Sequence, residues 1–272
     1  MRDNLDRIGA KPVDTVEPPI TSNIELPSIT EEVELPSQGK YYPEGSSMKG
    51  REFVTVKFMT ATEEDILNNK TYLKKGIAID RMLYNLIVDK TIKLDDMFTF
   101  DKNALIIAVR SSGYGSDYKT KITCPSCDFK FNYSFDLSQI KVKTGNPEVL
   151  SEDGILSFVL PKTKAEVKCR LLTGLDEKFL TQLIESKKKN KLQETPLTDQ
   201  LRLFIVSVNN NTDKNFISKF IGSLPSIDSR YLRKTYADSV PSIDMTFMVE
   251  CPDCEEEKEV TMPLAAEFFW PR

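Results

Sequence analysis

The turn Cys-Pro-x-Cys occurs twice, in "ITCPSCDFKF" at residues 122–131 and in "VECPDCEEEK" at residues 249–258, and these turns hold four of the five cysteines. The tight turn points both thiols of a pair at one ion, so two such turns can supply the four ligands of tetrahedral zinc. No other feature constrains the fold as strongly. Cys124, Cys127, Cys251 and Cys254 can share one structural Zn2+ per chain only if segments 127 positions apart are brought face to face. After the first turn Phe129, Phe131, Tyr133 and Phe135 alternate with polar residues, which predicts a β-hairpin with the thiols at its tip. A redox pair of the thioredoxin kind is the weaker expectation, because such pairs sit at a helix start that lowers the thiol pKa. A site that has lost its metal, or pairs completed by another chain, are the remaining readings. Cys169, in "EVKCRLL", has no partner by spacing and is expected to be a small buried apolar residue.

The hairpins end two segments that resemble each other. "KFMTATEEDIL" (57–67) matches "RLLTGLDEKFL" (170–180): an apolar entry, a threonine helix cap, acids, then an apolar pair. "DKNALIIAVRSSGYGSDYKTKITCPSC" (101–127) lies without gaps over "DSRYLRKTYADSVPSIDMTFMVECPDC" (228–254), pairing Asp101 with Asp228 and Leu105 with Leu232. Two matches in the same order, ending on the same turn, predict an internal duplication. The expected fold is α+β: a strand–helices–β-hairpin unit in tandem, with a four-cysteine zinc site between the hairpin turns. Residues 51–145 form the first repeat and 146–272 the second, behind an extended arm over 1–50. A strand is expected at 53–59 and a helix capped by Thr60 or Thr62. A second helix is expected over 78–89, and a short third one starts near an Asp101 cap. "SKKKNKLQETP" reads as a solvated loop.

Residues 1–50 carry six of the fifteen prolines and nine acidic residues against five basic ones, and the opening residues lack the apolar core of a secretory signal. That composition predicts an extended, partly disordered arm. Either it is a plain linker, or it docks along a partner with Leu35, Tyr41 and Tyr42 as anchors. Beyond the arm, acidic and basic residues balance, which lacks the basic footprint of a nucleic-acid binder. The chain has no histidine, which excludes Ser-His-Asp and Cys-His catalysis, and no phosphate-binding loop motif. No apolar run is long enough to span a bilayer, so no membrane partner is expected. The ending "AAEFFWPR" places Phe268, Phe269 and Trp270 where polar residues usually fray. They either lock back onto the core or insert into another protein as partner-binding residues.

"ELPSQGKYYPEG", "MTATEEDIL", "RSSGYGSDY" leading into "CPSC", and the ending "CPDC…MPLAAEFFWP" together resemble the baseplate hub proteins of T-even-like contractile-tailed bacteriophages. The resemblance runs from about residue 34 to the terminus. It implies a structural or assembly role in the tail baseplate hub, beside other hub proteins, with the tape-measure protein as a further candidate partner. It implies no enzymatic activity and carries over no catalytic residues. It also implies assembly in the host cytoplasm, with the virion tail baseplate as a second location, and leaves open whether the protein stays in the particle. The competing reading is a zinc-ribbon protein that binds nucleic acid, against which the neutral body and acidic arm weigh.

Overall fold

The computed structural model describes residues 29–263 and 266–269, so most of the expected arm, and Trp270, lie outside the described residues. In the first half β1 (Thr30–Glu34) pairs antiparallel with β2 (Phe53–Lys57). Helices α1 (Ala61–Asn68), α2 (Lys70–Lys74), α3 (Ala78–Leu86) and α4 (Thr99–Tyr114) follow, then the hairpin β3 (Asp117–Thr123) and β4 (Lys130–Asp136). After β5 (Lys141–Lys143), the second half opens with β6 (Ile155–Val159) and β7 (Glu166–Arg170). It continues through α5 (Gly174–Lys189), α6 (Pro196–Phe204), β8 (Ile205–Val208), α7 (Lys214–Ser223) and α8 (Ser226–Ser239). The last described elements are β9 (Ser242–Asp244), the hairpin β10 (Thr246–Glu250) and β11 (Glu257–Thr261), and a 3-10 turn, Ala266–Phe269. The result is a mixed α/β protein with eight described helices and small sheets.

Local chemistry explains most of these starts and stops. Thr60 caps α1 with a capping box: the Glu63 carboxylate accepts from the Thr60 N–H at 3.0 Å. Thr173 and Asp176 repeat the box at α5, at 2.9 Å. In α3 the residues Met82, Leu83 and Leu86 recur at helical spacing and are buried. The chain leaves α4 through Gly115, whose φ of 86° is open to glycine and strained for other residues. The third helix is therefore longer than the sequence suggests, because Gly113 stays inside it. α5 likewise runs through Lys189, so the expected loop shrinks to residues 190–195.

Helix α4 is the centre of the molecule. It buries Phe100, Ala104, Leu105, Ile107 and Val109 together with the polar residues Asp101, Lys102 and Arg110. A helix apolar on most sides must be covered on most sides, and both halves do so. Lys102 bonds Asp80 at 2.8 Å on α3 and Glu177 at 2.9 Å on α5. The start of α5 packs so closely on the first half that a Cβ at Gly174 would meet the Leu94 carbonyl at 2.4 Å. Two orphan amides of that helix end donate across the contact, Gly174 to the Met97 carbonyl at 2.8 Å and Leu175 to the Asp95 carbonyl at 2.9 Å. β5 and β9 pair across the halves as well.

Residues 30–50 depart from the expected arm. They belong to the folded body, because β1 joins the β2 sheet and Leu35, Tyr42 and Met48 enter the common core. Asp101 also departs from its expected role as cap of its own helix. Its carboxylate turns back and accepts from the Ser37 N–H at 2.9 Å and the Tyr42 hydroxyl at 2.7 Å, which pins the 35–42 segment to α4.

Candidate metal centre

The two cysteine turns are built alike. In the first, the Cys124 N–H donates to the Phe129 carbonyl at 2.8 Å and the Asp128 N–H returns to the Cys124 carbonyl at 3.0 Å. In the second, Cys251 donates to the Glu256 carbonyl at 3.1 Å and Glu255 to the Cys251 carbonyl at 2.9 Å. Both turns close through a left-handed residue just after the second thiol, Asp128 at φ 58° and Glu255 at φ 56°. These bonds hold each pair of sulfurs on one side of its hairpin tip.

The hairpins β3–β4 and β10–β11 bring the tips together. Cys124 Sγ lies 3.8 Å from Cys254 Sγ, and Cys127 Sγ lies 3.7 Å from Cys251 Sγ. All four sulfurs lie within 4.8 Å of one another. Zinc–thiolate bonds of about 2.3 Å arranged tetrahedrally set sulfur–sulfur separations of about 3.8 Å. The donor set and its spacing therefore fit zinc. Cys124 and Cys251 are buried, Cys254 is half-buried and Cys127 is exposed, so the cluster sits at the surface with one open side.

The electrostatics of the thiols point the same way. The Cys127 and Ser126 backbone amides aim at Cys124 and bring its thiol down to about 7. The Phe129 amide acts in that sense on Cys127, but three neighbouring sulfurs and the partial loss of water they impose outweigh it and push that thiol up to about 12. The Glu256 amide likewise fails to offset desolvation and the Cys251 and Cys124 sulfurs at Cys254, which is also raised. Four thiolates this close repel one another, and a dication removes the conflict by deprotonating the set at once. Neither pair lies at a helix start, the position a thioredoxin-type thiol requires. Cys169 is fully buried, and burial pushes its thiol up, as suits an inert core residue.

The expected partner anchors are placed otherwise. Leu35 is 0% exposed, Tyr42 2%, Phe268 3% and Phe269 1%, so these side chains fill this chain's own core and are withdrawn from any partner. Tyr42 stacks on Phe98 at 4.2 Å, and Phe268 meets Tyr118 edge to face at 4.9 Å. Tyr41 is half-buried against the same core. Phe268 and Phe269 lock back: the buried Arg110 guanidinium holds the Phe268 carbonyl at 2.6 Å and lies over the Phe268 ring. Arg110 carried no sequence signal, since a lone arginine on a helix is usually solvated. The alignment of Asp101 with Asp228 was a usable signal: both are fully buried, and Asp228 accepts from the Lys162 and Thr163 amides at 2.8 and 2.9 Å.

The fold and site thus define a mixed α/β protein whose two hairpins meet at a four-thiol centre. The family model described as T4 bacteriophage base plate protein matches residues 27–270, and the chain belongs to that family. It is accordingly a structural component of a phage baseplate, among whose proteins it finds its partners. No curated protein and no solved structure compared with it gives a significant match. Among the described residues, no helix is long and apolar enough to cross a membrane.

Proposed function

We propose that this protein is a non-enzymatic component of the baseplate hub, acting through contacts with other hub proteins and with the tape-measure protein. One structural Zn2+ per chain, held by Cys124, Cys127, Cys251 and Cys254, fixes the two hairpins to each other. The observation that carries the reading is the meeting of four sulfurs from two distant hairpins, in a member of a baseplate family. A thiolate-bound zinc without an open position serves folding rather than chemistry. Exposed acids at Asp253, Glu255, Glu256 and Glu257 surround the second turn and count against a nucleic-acid interface there.

The two halves are copies of one unit in this proposal. Each has an antiparallel strand pair, a Thr-capped helix and a Cys-tipped hairpin preceded by a helix with a buried aspartate. The bridge between Val56 and Ile87 has its counterpart in the pairing of Cys169 with Ile205. Metal analysis of protein purified without chelator, together with pull-down from infected cells and mass spectrometry of purified particles, tests the proposal. One zinc per chain and co-purification with hub proteins are expected. Protein that is folded but metal-free would remove the zinc, and absence from every hub intermediate would remove the hub.

A further inference from the structure

We propose that the outer edge of β1 and the groove beside it receive an extended segment of another baseplate protein, one that carries lysine or arginine toward Glu31. This rests on the baseplate-contact reading above and adds the surface and the chemistry of the partner.

The edge is open for a definable reason. The Phe58 N–H donates to the Ile29 carbonyl and the Leu35 N–H to the Glu52 carbonyl, so odd-numbered residues of β1 turn their backbone groups to β2. Thr30, Glu32 and Glu34 then direct theirs away from β2, and no described strand pairs on that side. The other outer edges nearby are covered. Val88 donates to the Thr55 carbonyl beside β2, and β6, the counterpart of β1, exchanges bonds with 149–151 through Ser157 to Val149 and Ser151 to Ile155. An open edge adjoining a groove is the arrangement used for strand addition, in which main-chain bonds give affinity and side-chain pockets give specificity.

The groove has a volume of about 500 Å³ and is lined by Ala104, Ile107 and Ala108 of α4, Val142 of β5 and Ile243 of β9. Among the described residues, its charged lining is Glu31, Glu32 and Glu34. Among the described residues Glu31 Oε1 is buried without a hydrogen-bond partner, a state that is costly until a donor arrives. A basic side chain entering the groove satisfies it once the half-buried Glu31 carboxylate turns toward the donor. A second copy of β1 would set acids against acids, and residues 1–28 carry five acidic and three basic residues, a poor complement to this rim.

The test uses the full chain in infected cells with a photo-cross-linking residue in place of Glu32, and the captured site is mapped in baseplate intermediates. A Lys- or Arg-bearing segment of another baseplate protein is the expected product. Glu31→Lys should lower incorporation by about thirtyfold or more, because it replaces an attractive buried charge with a like one. Glu32→Pro should do the same with the fold intact, because that N–H faces away from β2. Unchanged zinc content and melting temperature in both variants verify the fold. Capture of residues 1–28, capture of a second copy, or no capture by protein that is present in baseplates would each overturn the proposal. Absence of the protein from baseplates is a separate result, which sinks the baseplate-contact reading and its partner together.

Discussion

Helices α4 and α8 occupy matching places before the two cysteine hairpins, yet they live in different surroundings. Each starts with a fully buried aspartate in its first turn and carries a fully buried leucine four residues on, Leu105 or Leu232. The aspartates do the same work, gripping the connection between the preceding pair of strands. Around them the environments diverge. α4 is enclosed by both halves and by the C-terminal turn, whereas α8 leaves Ile227 61% and Tyr231 40% exposed. A similar local arrangement thus lies at the centre of the molecule in one half and at its edge in the other, depending on what the rest of the chain packs against it. The difference reaches the carboxyls. Burial pushes Asp101 above the usual carboxylate range despite its bonds from Ser37 and Tyr42. Burial acts in the same sense on Asp228, but the Lys162 and Thr163 amides outweigh it and hold that group below the range.

The most severe way to break the pairing of the halves is to remove the metal that the four thiols suit. Cys124→Ser or Cys251→Ser should release zinc and lower stability by more than about 4 kcal/mol, the range of lost metals and disulfides. Thermal unfolding with and without chelator checks this. The two substitutions should act equally, since each opens the same centre. A markedly smaller loss for one would mean that the halves do not share an ion.

Next in size is Phe268→Ala, expected to cost about 3 kcal/mol because the ring packs against Tyr118 and beneath Arg110. Chemical denaturation measures it. An unchanged midpoint would return this residue to the partner surface.

The aspartates sharpen the comparison further. Asp101→Ala leaves the Ser37 amide and the Tyr42 hydroxyl proton buried without an acceptor, for about 2 kcal/mol. The pH response should differ in sign between the two sites. A carboxyl raised by folding binds its proton more tightly in the native state, so the Asp101 contribution falls as pH rises from the unfolded pKa through the folded one. A carboxyl lowered by folding contributes above the unfolded pKa, and the Asp228 contribution is lost as pH falls through the lowered value. Stability profiles of Asp101→Asn and Asp228→Asn between pH 3 and about 7 should therefore deviate from wild type in opposite directions. Parallel profiles would count against the distinction.

The smallest effect is expected at the turn tips. Glu255 at φ 56° is a poorer left-handed residue than Asp128 at φ 58°, since only short polar side chains visit that region readily. Glu255→Gly should stabilise by up to about 1 kcal/mol, and Asp128→Gly by less. Melting curves of the zinc-bound forms distinguish them.

What the sequence by itself determined lies within a few residues of each signal. Thr60 and Thr173 announced their helices because a cap needs only an acid three positions on. The alternation after Cys127 announced its hairpin because strand faces repeat every second residue. The paired turns named the four candidate ligands because ligand spacing is local too. Tertiary structure alone decided that Cys124 faces Cys254 and Cys127 faces Cys251, and that Asp101 reaches back to Ser37 and Tyr42 instead of capping its helix. It also decided that Leu35, Tyr42, Phe268 and Phe269, which read as adhesive ends, complete the cover of α4. An exposed aromatic and a buried one are the same letters. Which they become depends on whether another part of the chain offers apolar surface to remove from water, and that surface exists only once the halves have met.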